Sequence, residues 1–508
     1  MSVAVSVSLA SLCTGLIDVP KGLNVSDVTL DSRRVQSGGL FLACAGRRTH
    51  GLTALEEALK RGARAILWEP VEGVAAPTVP TEVFCAPLAK LSQHASTIAA
   101  RFFGDPSASM AIAGITGTNG KTTSAWLLAQ TCEALGQPAA YLGTLGIGRI
   151  GSGLTPSDYT TSDAVSVQRQ LAALRDGGAQ AVAMEVSSHA LDQQRVAAVR
   201  FRGAAFTNLT RDHLDYHGTM EAYGAAKARL FDMPALDGRV FNVDDAFGAE
   251  LAQRHAGSMG LVLTARSRSG FAVMSALRER GVTFESITAI EWRGTSGGLA
   301  CRIDWRGERA LTVPLIGEFN VDNVLTVLGL LTVLGVAPER GLAALSAVNA
   351  PPGRMEAVAA SGRALAIVDY AHTPDALAKA LRAARAHCSG RLHVVFGCGG
   401  DRDRGKRPQM AAVAAAMADE IMITDDNPRT EPPAGIVADI TGGMPAGTRF
   451  AVVHDRATAI RTVLAAARAD DAVLIAGKGH EDYQIVGEER RAFSDRQLVR
   501  SIYAEAAA

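Results

Sequence analysis

The chain has 508 residues, more than a single hydrophobic core usually supports, so its length predicts two to four domains. Hydrophobic residues make up 48% of the sequence and charged residues 20%, which is typical of globular proteins. Basic and acidic residues number 51 each. The resulting zero net charge argues against a nucleic-acid-binding surface.

Cysteine usage and the N-terminus indicate the compartment. The seven cysteines are scattered and never spaced C-x-x-C, which is typical of reduced thiols in the cytosol. The opening stretch MSVAVSVSLASL is apolar but lacks the basic residues that begin a secretory signal. No window reaches the roughly 18 uninterrupted apolar residues of a membrane span. We therefore expect a cytoplasmic, monomeric protein that does not insert into membranes.

The order of strand-like and helix-like segments predicts an α/β protein of three domains. In residues 1–105, the apolar runs GGLFLACAG and ARAILWEP flank an amphipathic helix, TALEEALKRG. Residues 106–349 mix strands and helices around a Gly-rich loop. Residues 350–508 alternate strand candidates with Ala-rich helices, which predicts a Rossmann-like parallel sheet with ligands bound after its strands. The five strand candidates are ALAIVDYA, RLHVVFGCG, EIMITDD, RFAVVHD and AVLIAGKG.

The stretch AIAGITGTNGKTT, residues 111–123, predicts a nucleotide-binding site. An apolar strand leads into a Gly-rich turn, and Gly-Lys-Thr opens a helix whose N-terminus can bind phosphate. Lys121 would pair with the β- and γ-phosphates, and Thr122 would hold Mg²⁺. The strict P-loop spacing has glycine at position 115, where this chain has Ile115. The predicted phosphate-binding residues are Gly117, Thr118, Asn119, Gly120, Lys121, Thr122 and Thr123.

Three other positions in the middle region leave alternatives open. Glu185 ends the strand AVAMEV and is either a second Mg²⁺ ligand or a solvated acid at a strand end. The loop TRDHLDYHG around His213 is compatible with a zinc site, a structural loop or a catalytic loop. Lys227 lies in the Ala-rich stretch AYGAAKARLF, and its local pattern predicts an exposed lysine.

Polar loops follow the strands of the last region: VDYAHTP, GCGGDRDRGKRP, DDNPRTEPP and GKGHEDYQ. They predict a second substrate site, in which Arg402 and Arg429 bind carboxylates through paired guanidinium N–H groups. The alternative is a solvated rim of salt bridges.

Taken together, these segments resemble the Mur ligase family over nearly the whole chain. The motifs GTNGKTT, MEVSSHAL, TNLTRDHLDYHGTMEAYGAAKARLF, GEFNVDNVLTVL, PGRMEAV, VDYAHTPDAL, GCGGDRDRGKRP, DNPRTE and GKGHEDYQ occur in the family's order. The resemblance implies an ATP-dependent ligase of peptidoglycan precursor synthesis. It would join meso-2,6-diaminopimelate to the D-Glu γ-carboxylate of UDP-N-acetylmuramoyl-L-alanyl-D-glutamate through an acyl phosphate.

The resemblance also implies roles for individual residues. Lys227 matches a carbamylated lysine whose added carboxylate positions Mg²⁺ beside Glu185, and His213 matches a Mg²⁺ ligand. Two Mg²⁺ ions are expected with ATP. The implied catalytic and metal-binding group is Lys121, Thr122, Glu185, His213 and Lys227. Nucleotide contacts from later in the chain are implied for Asn320, Arg354, Asp369 and His372.

Two substrate sites follow from the same resemblance. The set for the UDP-sugar dipeptide is Leu30, Ser32, Arg47, Arg48, Thr49, Tyr159, Thr160, Thr161, Ser187, Gln193 and Arg195. This chain departs from the family there, because Tyr159 replaces a common Asn and GRRTHG replaces the usual uridine-side loop. The set for diaminopimelate is Arg402, Asp426, Asn427, Pro428, Arg429, Gly477 and Glu481.

The stretch DNPR, residues 426–429, matches the family pattern for diaminopimelate rather than lysine. Diaminopimelate carries a second carboxylate at its far end, and lysine does not. A site that places Arg429 for this carboxylate rejects a ligand that leaves the guanidinium unmatched. Glu481 would receive the far ammonium group. The alternatives are the same reaction with L-lysine, a folylpolyglutamate synthase, a P-loop kinase or ATPase, and a non-enzymatic nucleotide-binding module.

Overall fold

The computed structural model describes residues 6–46, 49–157, 159–295 and 298–505. Arg47 and Arg48, two of the predicted dipeptide-binding residues, lie outside the described residues. The chain forms two compact units, Met1–Glu285 with Thr326–Ala337, and Ser286–Leu325 with Pro338–Ala508. Within the described ranges, no helix is long and apolar enough to cross a membrane.

The first unit begins with a small parallel sheet in the strand order β3-β4-β5-β6, beside an antiparallel pair of β1 and β2. The predicted apolar runs form β4 and β5, whose residues are all buried. The elements are β1 Val7–Ser8, α1 Leu9–Leu12, β2 Asn24–Val25, β3 Val28–Thr29, β4 Leu40–Ala43, α2 Leu55–Lys60, β5 Ala65–Trp68, β6 Phe84–Pro87 and α3 Leu91–Phe102.

A larger sheet follows in the same unit. Its strand order is β13-β12-β11-β7-β10-β8-β9, and all neighbours are parallel except the β8–β9 pair. The elements are β7 Ala111–Thr116, α4 Lys121–Ala134, β8 Ala139–Gly143, β9 Gly146–Gly148, α5 Ala164–Asp176, β10 Ala181–Glu185, α6 Ser188–Asp192, β11 Phe201–Phe206, α7 Leu214–His217, α8 Met220–Ala228, β12 Gly238–Asn242, α9 Ala246–Arg254, β13 Leu261–Ala265 and α10 Arg268–Glu279. The central strands β7 and β10 end next to each other, which brings the phosphate loop and Glu185 to one edge of the sheet.

The second unit contains a three-stranded antiparallel sheet, β14-β15-β16, that the sequence patterns did not predict. Two helices follow these strands in the chain, and the residues of α11 from Thr326 onward belong to the first unit. The elements are β14 Glu285–Thr295, β15 Gly298–Trp305, β16 Glu308–Val313, α11 Phe319–Val333 and α12 Pro338–Leu345.

The predicted Rossmann-like sheet is present in the second unit, with strand order β17-β18-β22-β19-β20-β21. Its strands are parallel except β17, which pairs antiparallel with β18. The elements are β17 Glu356–Val358, β18 Leu365–Asp369, α13 Pro374–Arg385, β19 Leu392–Phe396, α14 Lys406–Met417, β20 Glu420–Ile423, α15 Pro433–Thr441, β21 Ala451–Val452, α16 Arg456–Ala466, β22 Ala472–Ala476, β23 Tyr483–Val486, β24 Glu489–Ala492 and α17 Asp495–Glu505. Of the five predicted strands, RFAVVHD forms only the two-residue edge strand β21, because an exposed edge leaves its apolar residues without a layer to pack on.

Candidate functional site

The phosphate loop between β7 and α4 has the geometry of an anion-binding turn. Gly117 and Gly120 adopt positive φ angles of 149° and 86°, which favour glycine. At Gly117 a Cβ atom would lie 1.9 Å from Thr207 Oγ1, so no side chain fits. Ile115 is buried inside β7, where the strand needs an apolar residue, so its departure from the strict spacing does not disturb the turn.

Helix α4 also begins differently from most other helices of this unit. Helices α5, α6, α8, α9 and α10 all begin at a Ser, Thr or Asp whose side chain accepts hydrogen bonds from first-turn N–H groups. Helix α4 instead begins after Gly120 and has no side-chain cap. No N-cap side chain therefore occupies the start of this helix, where the positive end of the helix dipole favours an anion such as phosphate.

A second loop, residues 207–210, holds the phosphate loop in place. Thr118 N and Asn119 N donate to Asn208 O and Asn208 Oδ1 at 2.8 and 3.0 Å. Thr207 Oγ1 donates to Asn119 O at 2.6 Å, and Thr118 Oγ1 donates to Thr210 O at 3.1 Å. The local pattern of TNLT does not predict this role, because the contact joins segments about 90 residues apart in the chain.

Two lysines converge on one carbonyl of this loop. Lys121 Nζ donates to Gly117 O and Thr118 O, both at 2.8 Å, and Lys227 Nζ donates to Gly117 O at 2.8 Å. Lys227 is 1% exposed, so the pattern-based expectation of a surface lysine is wrong. Helix α8 packs Lys227 inward together with Tyr223, whose ring centroid lies 4.2 Å from Nζ.

The environment of Lys227 favours its neutral form. Burial lowers the pKa of Lys227 well below its ordinary value, and the charge of Lys121 lowers it further. Within the described residues Lys227 forms no salt bridge. A buried amine of this kind is able to act as a nucleophile.

Glu185 lies at the end of β10 with 1% of its surface exposed, so it is not a solvated acid. Oε2 accepts from Thr122 Oγ1 at 2.8 Å, and Oε1 accepts from Thr144 N at 2.9 Å and from the Tyr141 hydroxyl. Thr122 and Glu185, which were each predicted as a Mg²⁺ ligand, are thus in direct contact. Tyr141 and Thr144 were not predicted, since nothing in their local sequence distinguishes them from other residues after β8.

Five of the predicted dipeptide-binding residues form one cluster next to Glu185. Thr161 Oγ1 donates to Glu185 O at 3.0 Å, and Ser187 N donates to Thr161 Oγ1 at 3.1 Å. Arg195 reaches Thr161 O at 2.9 Å. The other two contacts are Thr160 Oγ1 with Thr144 Oγ1 at 3.0 Å, and Arg195 Nε with Gln193 Oε1 at 2.9 Å.

The remaining predicted dipeptide-binding residues are more dispersed. Tyr159 precedes the cluster and is 64% exposed. Ser32 is buried and donates to Glu57 Oε2 at 2.7 Å, while Leu30 packs against the core of the first sheet. Thr49 is exposed.

The loop TRDHLDYHG forms the short helix α7 and an aromatic cluster. The ring of His213 lies 4.9 Å from the ring of His189, which also packs on Tyr216 at 4.1 Å. Burial, together with the charges of His213 and His217, lowers the pKa of His189 to about 4. In the described part of the chain, no group of three His, Cys, Asp or Glu side chains is placed to hold a metal ion. A metal ion at the sheet edge where β7 and β10 end would therefore need further oxygen ligands, such as Thr122, a carbamate or phosphates.

In the second unit, three of the predicted nucleotide contacts lie at the carboxyl end of β18 or contact the loop that follows it. Asp369 accepts from Met355 N at 2.8 Å and from Ala371 N at 2.9 Å, and burial raises its pKa. The Arg354 guanidinium lies 4.7 Å from the Tyr370 ring centroid, and its buried Nε has no hydrogen bond in the described residues. His372 Nδ1 contacts Tyr370 O at 2.9 Å. Asn320 is apart from this loop and buried at the start of α11, where it donates to Ile316 O at 2.8 Å.

The predicted diaminopimelate residues converge where β19, β20 and β22 end. Asn427 Nδ2 donates to Glu481 Oε2 at 2.9 Å, and a Cβ atom on Gly477 would lie 2.9 Å from Asp426 Oδ2. Asp426 and Asn427 are buried, so DNPR is not part of a solvated rim. Arg402 is exposed, and it borders Gly399 together with Arg429.

Only part of the Arg429 guanidinium group makes hydrogen bonds to the described residues. Its Nη1 donates to Gly400 O at 2.8 Å, which holds the loop, while Nε and Nη2 make no hydrogen bond to the described residues. Two N–H groups therefore remain for a planar carboxylate.

Comparison with known proteins decides the family. The chain is 47% identical over 476 residues to UDP-N-acetylmuramoyl-L-alanyl-D-glutamate–2,6-diaminopimelate ligase from Ectopseudomonas mendocina, covering 93% of this chain and 94% of the relative. The chain belongs to the Mur ligase family. The Pseudomonas aeruginosa relative of the same name is 46% identical over 475 residues and covers 94% of both chains. The family resemblance predicted from the motifs is confirmed.

Domain models and a solved structure agree with this membership. Models of the Mur ligase catalytic domain, middle domain and glutamate ligase domain match residues 24–96, 115–331 and 353–479. A solved UDP-N-acetylmuramoyl-L-alanyl-D-glutamate–2,6-diaminopimelate ligase superposes with a TM-score of 0.71 at 33% identity, covering 99% of this chain and 100% of that chain. The predicted three-domain α/β architecture of the Mur ligases is thus confirmed, while the boundaries at residues 105 and 349 stay predictions.

Proposed function

We propose that this protein is an ATP-dependent ligase that adds meso-2,6-diaminopimelate to UDP-N-acetylmuramoyl-L-alanyl-D-glutamate in the cytoplasm. The observation that carries the proposal is the near full-length similarity to ligases of that name. The buried DNPR loop supports the choice of amino acid, since Arg429 keeps two N–H groups for a second carboxylate.

The reaction proceeds in two steps. The γ-carboxylate of D-Glu attacks the γ-phosphorus of ATP, which gives an acyl phosphate and ADP. The amine of diaminopimelate then attacks the acyl carbon, the amide forms, and phosphate leaves while the amine loses a proton. Activation is needed because a free carboxylate is a poor electrophile.

The phosphate loop supplies the positioning for the first step. Lys121 pairs with the transferring phosphoryl group, and the uncapped start of α4 directs N–H groups at the phosphates. Thr160, Thr161, Ser187, Gln193 and Arg195 bind the dipeptide beside Glu185. The family resemblance makes Asp369, Arg354, His372 and Asn320 further candidates for contacts with the nucleotide.

The residues at the end of β10 fit Mg²⁺. The Thr122 hydroxyl and the Glu185 carboxylate are the hard oxygen donors that this ion prefers. His213 is exposed, and its ring lies 6.1 Å from the ring of Tyr223, which packs on Lys227. Carbamylation of Lys227 would add a further carboxylate, since its neutral amine can attack CO₂ and release a proton. Bound between these groups and ATP, two Mg²⁺ ions would neutralise the negative charge of the phosphates.

The test is phosphate release from ATP in the presence of Mg²⁺ and the UDP-dipeptide, with meso-diaminopimelate or L-lysine added in parallel. We expect release only with diaminopimelate, and a product heavier by one diaminopimelate residue by mass spectrometry. Phosphate release with lysine instead would support a ligase reaction but would contradict the proposal that DNPR selects diaminopimelate. Release that needs neither substrate would point to an ATPase, and activity with a folate and glutamate would point to a folylpolyglutamate synthase.

A further inference from the structure

A lysine that the proposed mechanism does not use lies completely buried beneath the DNPR loop. Lys478 follows β22 between Gly477 and Gly479, and none of its surface is exposed. The two glycines have φ angles of 115° and 51°, and a Cβ atom on Gly479 would lie 2.7 Å from Gly353 O. The chain therefore needs glycine on both sides to turn Lys478 into the interior.

Lys478 contacts three residues of the predicted diaminopimelate site. Its Nζ lies 3.0 Å from Asn427 Oδ1, 3.1 Å from Glu481 Oε2 and 3.6 Å from Asp426 Oδ1. Asp426 is buried, and burial raises its pKa. The Lys478 amino group thus lies beside the carboxylates of Asp426 and Glu481 in the interior of this site.

These contacts determine which way Asn427 and Glu481 point. Asn427 Oδ1 accepts from Lys478 and from Ile485 N, the latter at 2.9 Å. Because its oxygen is held by two donors, the amide must direct Nδ2 at Glu481 Oε2, which lies 2.9 Å away. Glu481 Oε2 then accepts from both Asn427 and Lys478, while Oε1 makes no hydrogen bond to the described residues. One carboxylate oxygen is left for a ligand.

We propose that Lys478 is a positioning residue that orients Asn427 and Glu481 and thereby sets the preference for an amino acid whose far end carries both an ammonium and a carboxylate. The inference rests on the proposed function and deepens it. Glu481 receives the ammonium through its free oxygen, and Arg429 receives the carboxylate. Lys478 offsets part of the negative charge of Asp426 and Glu481. A ligand whose far end carries only an ammonium group, such as lysine, is therefore bound less tightly than one that also carries a carboxylate.

A purely structural role makes a different prediction. If Lys478 only stabilised the fold, its loss would lower the amount of active enzyme and reduce activity with every amino acid by the same factor. The ratio of kcat/KM for two amino acids does not depend on how much enzyme is folded. That ratio therefore separates the two roles.

The experiment compares Lys478→Met with the wild type and with Lys379→Met, which makes the same chemical change at an exposed lysine of the same unit. The readouts are kcat and KM for meso-diaminopimelate, L-lysine, ATP and the UDP-dipeptide. We expect the preference for diaminopimelate over lysine to fall about tenfold or more in Lys478→Met, as for lost hydrogen bonds to charged groups. The KM values for ATP and the UDP-dipeptide should stay unchanged, and Lys379→Met should match the wild type.

Each outcome has a defined meaning. A wild type that does not use diaminopimelate overturns the proposed function itself. A wild type that prefers diaminopimelate, with an unchanged preference in Lys478→Met, overturns the role of Lys478 alone. If Lys478→Met does not fold, Lys478→Gln replaces it, since Gln keeps a polar group at this position but removes the positive charge that the proposal requires beside Glu481 and Asp426. An unchanged preference in Lys478→Gln likewise overturns the inference.

Discussion

Two buried lysines, Lys227 in the first unit and Lys478 in the second, share almost complete burial and little else. Lys227 contacts a backbone carbonyl and an aromatic ring, and its one charged neighbour on the same carbonyl is another lysine, Lys121. Lys478 lies beside the carboxylates of Asp426 and Glu481.

The difference teaches that the partner, not burial alone, decides what a buried lysine can do. Without an anion in contact, desolvation favours the neutral amine, which can form a covalent bond. With two carboxylates within 3.6 Å, the lysine amino group makes ion-pair and hydrogen-bond contacts that orient its neighbours. In our proposals, the first environment builds a metal-binding carbamate, and the second organises an amino-acid site.

The largest expected effect comes from removing the Lys227 amine. Lys227→Ala should reduce the ligase rate about 100- to 1000-fold, because a carboxylate that positions the phosphoryl group is lost. Adding formate, acetate or propionate should recover part of the rate by placing a free carboxylate in the space. Steady-state phosphate release with and without the acids measures both effects.

Lys478→Ala and Lys379→Ala are the matched controls for this rescue. Neither lysine is proposed to carry a carbamate, so short acids should not increase the rate of either variant. A Lys227→Ala variant with full activity, or an equal rescue of Lys478→Ala by acids, would contradict the distinction between the two lysines.

The second effect concerns stability, and the two sites should respond differently to loss of the lysine. Lys478→Met leaves buried carboxylates without their cation and should lower the free energy of unfolding by about 3 kcal/mol. Lys227→Met removes an amine whose pKa is lowered by burial. The unfolded chain protonates this lysine below its ordinary pKa and the folded chain does not, so at neutral pH its removal should not destabilise the protein. Urea unfolding of both variants at pH 7 in CO₂-depleted buffer measures the difference, and two equal losses would refute it.

The smallest effect concerns the neighbour of Lys478. Burial and the charges of Arg354 and Arg496 lower the pKa of His480 to about 4. Between the ordinary His pKa of 6.5 and about 4, the unfolded chain binds a proton that the folded chain does not, so stability falls as the pH falls. His480→Gln should remove about 1 kcal/mol of the loss between pH 7 and pH 5. Thermal unfolding of both proteins across this range provides the measurement, and parallel pH profiles would count against a neutral His480.

The sequence by itself determined the local features of this protein. The glycines of GTNGKTT predicted the phosphate turn, because positive φ angles leave few other residues possible. Apolar runs such as GGLFLACAG and AQAVAMEV predicted β4 and β10, because continuous apolar stretches of this length form buried parallel strands. The motifs predicted the family, since they occur in the order found in its members.

Only the tertiary structure decided how separate segments meet. The burial of Lys227 depends on which face of α8 packs inward, and its Ala-rich surroundings have no clear amphipathic pattern. The contact of residues 207–210 with the phosphate loop and the contacts of Lys478 with DNPR join residues about 50 to 90 positions apart. Local propensity does not predict such contacts, because they form where parallel strands from distant parts of the chain end at one edge of a sheet.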